Sequence, residues 1–317
     1  MILVTGVAGF IGYNTCKFLL EKGEFVIGID NFSTGLPSLV KRLQYFTSFK
    51  FVEVSITDYS ALELIFDTYS IKSVLHLAAL PRVKYSFDYP IETNQVNIQG
   101  TLNLLTICQK SEIQKIVFAS SSSVYGNQLS YPLVENMTPN PMSPYGIQKL
   151  TSEKYCKLFF ETYNLPILIL RYFNVYGDTT SEMSNYSCFL PKIINQVKNG
   201  INPTIFGNGE QARDFTHISD IVNANYIALK SENKKANGEV FNIGFGKPLS
   251  VNFVFNTVKD VINKNISYIT QKLEFNEPII TWADNIKAKD ILGWQPTISF
   301  VDGLNLYLSE LSNYVKP

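Results

Sequence analysis

The chain has 317 residues, of which 45% are apolar and only 17% charged. This is too apolar for a disordered chain, and the length allows two units sharing a large core. Lys plus Arg and Asp plus Glu each number 27, so the formal net charge is zero, which excludes a strongly basic nucleic-acid binder; no nucleic-acid partner is expected.

Cys16, Cys108, Cys156 and Cys188 are far apart with no C-x-x-C, a pattern of reduced thiols, not of a disulfide framework. His76 and His217 are the only histidines, so no metal site is expected. Met1-Ile2-Leu3-Val4 opens without a basic region ahead of an apolar stretch, and no apolar run approaches membrane-spanning length. The expectation is a soluble, cytoplasmic protein with no membrane partner.

In chain order, Ile2-Leu3-Val4 reads as a buried strand, Ile11 to Lys22 as a helix ended by Gly23, and Glu24 to Asp30 as the next strand. Further strands are predicted at Phe51–Val54, Ser73–Leu77, Lys115–Ala119 and Leu165–Leu170, with helices at Tyr59–Tyr69, Thr93–Lys110 and Gly146–Tyr163 between them. Strand–helix alternation with continuously apolar strands predicts an α/β fold, a doubly wound parallel sheet. After Gly177 the alternation stops. Asp178 to Tyr186 is polar and reads as a loop or lid, Gly200 to Arg213 is rich in turn residues, and Phe241–Gly244 reads as a strand end. The expected division is 1–177 plus 218–246 for a cofactor-binding domain and 178–217 plus 247–317 for a smaller substrate-binding one.

Gly6, Gly9 and Gly12 directly follow the first strand and open the first helix. Gly6 permits a tight turn, Gly9 lets a pyrophosphate approach the backbone amides, and Gly12 lets helix pack on strand. Asp30 ends the second strand, 18 residues beyond Gly12. Its carboxylate can accept both hydroxyls of an adenosine ribose and would repel a 2′-phosphate; Asn31 and Phe32 offer no arginine, so NAD is favoured over NADP.

Tyr145 and Lys149 are four residues apart on one helix face. A phenol is a poor base at neutral pH until a nearby cation favours the phenolate, after which the pair can act as a general base. Ser120-Ser121-Ser122-Ser123-Val124-Tyr125-Gly126 follows a strand, at the sheet edge where open α/β sheets bind ligands, and can supply a hydroxyl beside Tyr145.

With these residues the chain resembles the extended short-chain dehydrogenase/reductases, built on a Rossmann fold, and within them the NAD-dependent nucleotide-sugar epimerases and dehydratases, most like the UDP-N-acetylglucosamine/UDP-glucose 4-epimerases. The likeness covers nearly the whole chain. It rests on residues 5–12, on Asp30-Asn31-Phe32-Ser33-Thr34-Gly35, His76-Leu77-Ala78-Ala79, residues 121–126, Tyr145 with Lys149, and Arg171-Tyr172-Phe173-Asn174-Val175-Tyr176-Gly177. Residues 207–215 and Leu292-Gly293-Trp294 extend it.

The resemblance implies Ser121, Tyr145 and Lys149 as catalytic residues, Tyr145 as base and Lys149 on the nicotinamide ribose. It implies a cofactor site of Gly6, Gly9, Phe10, Ile11, Gly12, Asp30, Asn31, Ser33, Thr34, Gly35, Ser55, Ile56, Leu77, Ala78, Ala79, Asn97, Ser120, Tyr145, Lys149 and Tyr172. The substrate, a UDP-hexose, would meet Pro81, Lys84, Ser121, Ser122, Ser123, Asn174, Phe189, Ile205, Phe206, Arg213 and Thr281, with Arg213 on the diphosphate. The implied mechanism is deprotonation of the sugar 4-hydroxyl by Tyr145 with hydride transfer from C4, then return of the hydride to the other face of a rotated 4-keto sugar. A homodimer paired through the helices at 93–110 and 146–163 is also implied.

The chain departs from the family pattern at four positions. Ser55 stands where many members carry an aspartate for the adenine amino group. Glu274 stands where a second diphosphate arginine is usual, with Lys272 as a substitute. Pro81 replaces the lysine of the simple-hexose enzymes. Thr281, just before Trp282-Ala283-Asp284, replaces a gatekeeping tyrosine. The last two imply room for a 2-acetamido group, hence UDP-GlcNAc/UDP-GalNAc, with UDP-Glc/UDP-Gal alongside. Ser122 follows Ser121 where dehydratases carry Asp-Glu, which favours epimerisation over dehydration. Alternatives are a UDP-glucuronate epimerase or decarboxylase, for which Arg82 and Lys84 offer charges, another nucleotide-sugar dehydrogenase or dehydratase, or a non-catalytic NAD-binding regulator. His76 and His217 are expected to support the fold.

Overall fold

The structure, a computed structural model, describes residues 1–177, 189–272 and 278–313; the expected polar loop at 178–186, Cys188 and Glu274 lie outside them. In chain order the strands are β1 (Ile2–Thr5), β2 (Val26–Asp30), β3 (Phe49–Glu53), β4 (Ser73–His76), β5 (Lys115–Ser121), β6 (Ile167–Tyr172), β7 (Val175–Tyr176), β8 (Thr204–Phe206), β9 (Ala212–Asp214), β10 (Thr216–His217), β11 (Val240–Ile243), β12 (Pro248–Ser250), β13 (Ile269–Gln271) and β14 (Ile280–Thr281). The helices are α1 (Phe10–Glu21), α2 (Pro37–Leu43), α3 (Tyr59–Thr68), α4 (Val83–Asp88), α5 (Pro90–Asn94), α6 (Thr101–Lys110), α7 (Pro144–Tyr163), α8 (Phe189–Lys198), α9 (Ile218–Lys230), α10 (Val251–Ile262) and α11 (Phe300–Asn313).

Seven parallel strands form the main sheet in the order β11-β6-β5-β4-β1-β2-β3. The central strands are buried along their whole length, as a sheet covered by helices on both faces requires. One apolar cluster joins α1, α2 and α9 to one face, and another joins α3, α6 and α7 to the other. The chain winds outward in opposite directions from β1 and β4, so a crevice opens beyond their carboxyl ends. A third cluster holds α8, α10 and α11 around Phe215 and Phe255, beside the short strands β8, β9, β12, β13 and β14.

Three features differ from local sequence expectation. β5 and β6 run on to Ser121 and Tyr172, which pair in register, because polar side chains at a strand end do not interrupt backbone pairing. The helix expected at 93–110 is α5, a π-helical turn at Gln95–Gly100, and α6. There the Asn97 carbonyl accepts hydroxyls from Thr101 and Ser152, both at 2.8 Å, and the side chain of Ile56 packs against Gly100, where a Cβ would meet its Cδ1 at 2.6 Å. The turn-rich stretch 200–213 contains β8 and β9, whose partners β13, β12 and β14 lie far along the chain. Among the described residues no helix is long and apolar enough to cross a membrane.

Candidate active site

A cavity of about 490 Å³ occupies the crevice at the switch point. Its lining includes Gly6, Gly9, Phe10, Ile11 and Gly12 after β1, Asp30, Asn31, Ser33 and Thr34 after β2, Ser55 and Ile56 after β3, and Leu77 to Arg82 after β4. Ala119, Ser120, Tyr145, Lys149 and Tyr172 line it from the β5, β6 and α7 side. Of the expected cofactor residues, Gly35 and Asn97 are not in this lining. Gly35 packs behind it, where a Cβ would lie 2.6 Å from Ala8 Cβ and 2.9 Å from Asp30 Oδ1. Asn97 is buried, accepting the Leu80 N–H at 2.8 Å and donating to Gln148 Oε1 at 2.8 Å, which fixes the loop after β4.

The glycine loop fits a dinucleotide. Gly6 has φ +72°, a conformation glycine adopts without strain, and a Cβ on Gly12 would fall 2.0 Å from the Gly6 carbonyl oxygen. Only glycines let α1 start this close to β1. No side chain caps the first turn of α1, so its amide donors and the positive end of its dipole face the cavity. Asp30 accepts the Ala8 N–H at 3.0 Å through Oδ2 and the Phe32 N–H at 2.8 Å through Oδ1. Burial pushes its carboxyl up, and these amides pull it back. A carboxylate lining the cavity can accept hydrogen bonds from both hydroxyls of a ribose diol. Ser55 Oγ lies 2.8 Å from Thr57 Oγ1, and the adjacent Ile56 is an apolar wall.

α7 sets the reactive side chains. Ser143 caps it by accepting the Gly146 N–H at 3.1 Å, Pro144 occupies the first turn, and Asn164 at φ +54° ends it. Tyr145, Lys149, Glu153 and Cys156 then form a buried stripe against the sheet. Burial pushes the Tyr145 phenol up to about 12, while a hydrogen bond with Ser121 and the charge of Arg82 pull it down. The Lys149 ammonium donates to the Ala119 carbonyl at 2.8 Å and lies 4.9 Å from the centre of the Phe118 ring. Burial lowers Lys149 to about 8, with Cys156 and Glu153 opposing. Lys149 thus reaches the strand rather than the phenol. Ser121 itself accepts from Ser123 N–H at 3.2 Å and Ser123 Oγ at 3.0 Å, while Ser122 opens the short 3-10 turn at Ser122–Val124.

Two supporting groups were missed by local reading. Glu153 receives the Ser120 hydroxyl at 2.5 Å and the Arg171 guanidinium at 2.8 and 2.7 Å, all three groups being buried. A glutamate four residues after Lys149, on the apolar face of a helix, was the available signal. Asp214, fully buried, accepts amides of Phe245 at 2.9 Å, Gly246 at 2.9 Å and Ala283 at 3.0 Å. Burial pushes its carboxyl up to about 6 against those three bonds. It ties β11's exit to the segment after Thr281.

His76 is buried, with ring nitrogens 2.8 Å from Thr5 Oγ1 and 3.0 Å from Thr101 Oγ1; burial and Lys149 drive it down to about 3, so it stays neutral. His217 caps α9 by accepting the Ser219 N–H at 3.3 Å.

Of the expected substrate residues only Pro81 lines the cavity. Lys84 is exposed on α4. The others gather elsewhere. Thr281 on β14 pairs in register with Arg213 on β9, Ile205 and Phe206 lie on β8, Phe189 opens α8, and Asn174 Nδ2 approaches the Asp214 carbonyl at 3.4 Å. Thr281 is buried, and its hydroxyl has no hydrogen-bond partner among the described residues. No group of residues able to hold a metal occurs among the described residues.

The sequence and the fold are similar to those of known proteins. Along its length the chain is 38% identical over 311 residues to the UDP-glucuronate 4-epimerase of Thermodesulfobacterium geofontis, covering 95% of this chain and 93% of that one. Its structure matches that of a UDP-glucose 4-epimerase from Thermotoga maritima with UDP-glucose, at TM-score 0.93 and 33% identity over 99% of both chains. It also matches a UDP-N-acetylglucosamine 4-epimerase from Methanobrevibacter ruminantium in complex with UDP-N-acetylmuramic acid, at TM-score 0.92 and 33% identity over 99% of this chain and 98% of that one. The model of the NAD dependent epimerase/dehydratase family matches residues 2–244, which include the glycine loop, Asp30, Ser121, Tyr145 and Lys149: the chain belongs to that family, and its cofactor is NAD.

Proposed function

We propose that this chain is an epimerase interconverting UDP-GlcNAc and UDP-GalNAc, with UDP-Glc/UDP-Gal as a second pair, through Ser121, Tyr145 and Lys149. At the coarser level it is an isomerase, a UDP-sugar 4-epimerase using NAD. The observation carrying the choice of sugar is Thr281, a small buried side chain at the position before Trp282 whose hydroxyl has no hydrogen-bond partner among the described residues. UDP-glucuronate is the second reading, favoured by Arg82, a cation lining the cavity.

When bound, NAD supplies reversible acceptance of a hydride at the sugar's C4. Tyr145 takes the proton of the 4-hydroxyl at its phenolic oxygen and gives one back when the ketone is reduced. Ser121, hydrogen-bonded to that phenol, orients the exchange. Lys149, fixed on the Ala119 carbonyl, holds the nicotinamide ribose. Residues 1–177 plus 218–246 are the cofactor-binding part in this reading, supported by the pairing of β11 with β6, and the remainder binds the sugar nucleotide. A cytoplasmic homodimer is part of the same reading; Ile147 and Leu158 leave exposed apolar surface on α7.

Proton NMR of the enzyme incubated separately with UDP-GlcNAc, UDP-glucose and UDP-glucuronate tests the reading. A new anomeric signal from UDP-GlcNAc is expected. Thr281→Tyr is expected to lower kcat/KM for UDP-GlcNAc by at least about 10-fold while sparing UDP-glucose. Undiminished UDP-GlcNAc turnover in that variant, or turnover of UDP-glucuronate alone, overturns it.

Lys149→Met separates function from stability. The folded-state pKa of Lys149 lies below its ordinary 10.5, so the unfolded chain binds more protons between pH 8 and 10.5. Its buried charge therefore costs stability below about pH 8, a cost relieved as pH rises through that window. The variant loses one hydrogen bond to Ala119 and this burden together. At pH 7 it is expected to resist urea as well as the parent, or better by up to about 2 kcal/mol, while kcat falls at least about 100-fold.

A further inference from the structure

β11 is an edge strand of the main sheet, with β6 on one side. On its other side lies a strap, residues 131–135, where the Asn242 N–H donates to Glu135 Oε1 at 2.8 Å. The strap also meets the segment that follows β14. Leu133 and Ala283 form a parallel bridge: the Leu133 N–H donates to the Trp282 carbonyl and the Asp284 N–H to the Leu133 carbonyl, both at 2.9 Å. The rings of Tyr131 and Trp282 stack, with centres 5.2 Å apart and planes 18° from parallel.

One side chain joins these pieces. Asn242, fully buried on β11, donates through Nδ2 to the Leu133 carbonyl at 2.8 Å and to the Asp284 carbonyl at 3.1 Å. Its Oδ1 accepts the Tyr125 hydroxyl at 2.6 Å, and Tyr125 follows the short turn after Ser121. Two donors and one acceptor on one short side chain are what an amide offers. A carboxylate of the same shape would set its oxygens against two carbonyl oxygens, and an aliphatic side chain would leave the Tyr125 hydroxyl without its acceptor. Tyr125, Leu133 and Ala283 also pack in one apolar cluster with Val124 and Phe173, so a shift in one strains the others.

The segment held in this way directly follows Thr281. Asp214 fixes it from another side through the Ala283 N–H at 3.0 Å, and β14 pairs Thr281 with Arg213. The Thr281 hydroxyl has no hydrogen-bond partner among the described residues, so its side chain stands where the neighbouring backbone puts it.

We propose that Asn242 is a positioning residue for the choice of sugar: by clamping residues 131–135 onto residues 282–284 it fixes where Thr281 stands, and with it the fit of the pocket to a 2-acetamido group. This rests on the reading of Thr281 as the residue that admits that group. A wall free to shift fits the acetamido group less well. UDP-glucose carries only a hydroxyl at C2 and depends on that wall less.

The test is kcat and KM for UDP-GlcNAc and UDP-glucose in Asn242→Asp, Tyr131→Ala, Tyr131→Phe and Thr281→Tyr. In Asn242→Asp the ratio of kcat/KM for UDP-GlcNAc to that for UDP-glucose is expected to fall at least about 10-fold, the larger part of it in the KM for UDP-GlcNAc. Tyr131→Ala, which removes the ring stacked on Trp282 from a partly buried loop, is expected to lower the ratio about 3-fold, and Tyr131→Phe, which keeps the ring, to restore it. A purely structural role would depress both sugars alike. Equal losses for the two sugars in Asn242→Asp or, should that variant not fold, in Tyr131→Ala, overturn the proposal while Thr281→Tyr still separates the sugars. A Thr281→Tyr that treats both sugars alike overturns the reading of Thr281, and the proposal falls with it.

Discussion

Tyr145→Phe is expected to lower kcat by about 10³–10⁴ while leaving the fold and NAD binding intact. The ring stays, so packing against its neighbours is retained; what is lost is the phenolic oxygen and its hydrogen bond with Ser121, about 1 kcal/mol of stability. Among the described residues beside the phenol, the other titratable groups are not suited to the proton. His76 is held neutral between Thr5 and Thr101, away from any proton-accepting role near pH 7. Lys149 is a donor already committed to Ala119. Turnover of UDP-sugar, followed by NMR, and co-purification of NAD, followed by its release on denaturation, measure the two halves of this prediction. A variant that retains a tenth of the parent's kcat would remove Tyr145 from the role of base.

Much of the fold was legible because its signals are local. β1, the Gly6–Gly12 loop and α1 follow one another within twenty residues, and Gly9 and Gly12 each answer the nearby Gly6 carbonyl. The apolar runs that become β4, β5 and β6 are continuous because helices bury both faces of the sheet. The cofactor cavity followed from the same motifs, and the residues after β1, β2 and β4 line it.

Contacts across long sequence distances were not legible. β9 meets β12 and β14, so Arg213 and Thr281 become neighbours although 68 positions apart, and no periodicity announces strands of two or three residues. In the π-helical turn at Asn97, the carbonyl freed from the regular ladder accepts a hydroxyl from Ser152, on another helix. The sequence reading named Arg213 and passed over Asp214 beside it, whose worth lies in three amides from two distant loops. Lys149 was paired with Tyr145 by helical spacing, whereas its acceptor, Ala119, sits on a strand. Spacing gives the face of a helix; it does not give the partner.

The largest effect on stability is expected at Glu153. Its carboxylate is buried and shared between the Arg171 guanidinium, in a two-pronged pair, and the Ser120 hydroxyl. Through it α7 is joined to the ends of β5 and β6, one residue before Ser121 and one before Tyr172. Glu153→Ala leaves the Arg171 charge buried without its counterion, with Lys149 one helical turn away, and is expected to cost about 3–5 kcal/mol in urea unfolding. That is a large part of the roughly 5–15 kcal/mol by which a domain is stable. The loss arises from the stranded cation more than from the missing bond, so removing both partners should hurt less than removing one. Glu153→Ala with Arg171→Met is expected to recover at least about 2 kcal/mol relative to Glu153→Ala, a coupling that a double-mutant cycle through the two single variants measures. Equal destabilisation of the double and single variants would mean that the pair acts by packing alone. Recovered stability with activity still depressed would show what the glutamate adds to the site, since Ser120 would then have lost its anchor and Ser121, next to it on the same strand, would stand less firmly against Tyr145.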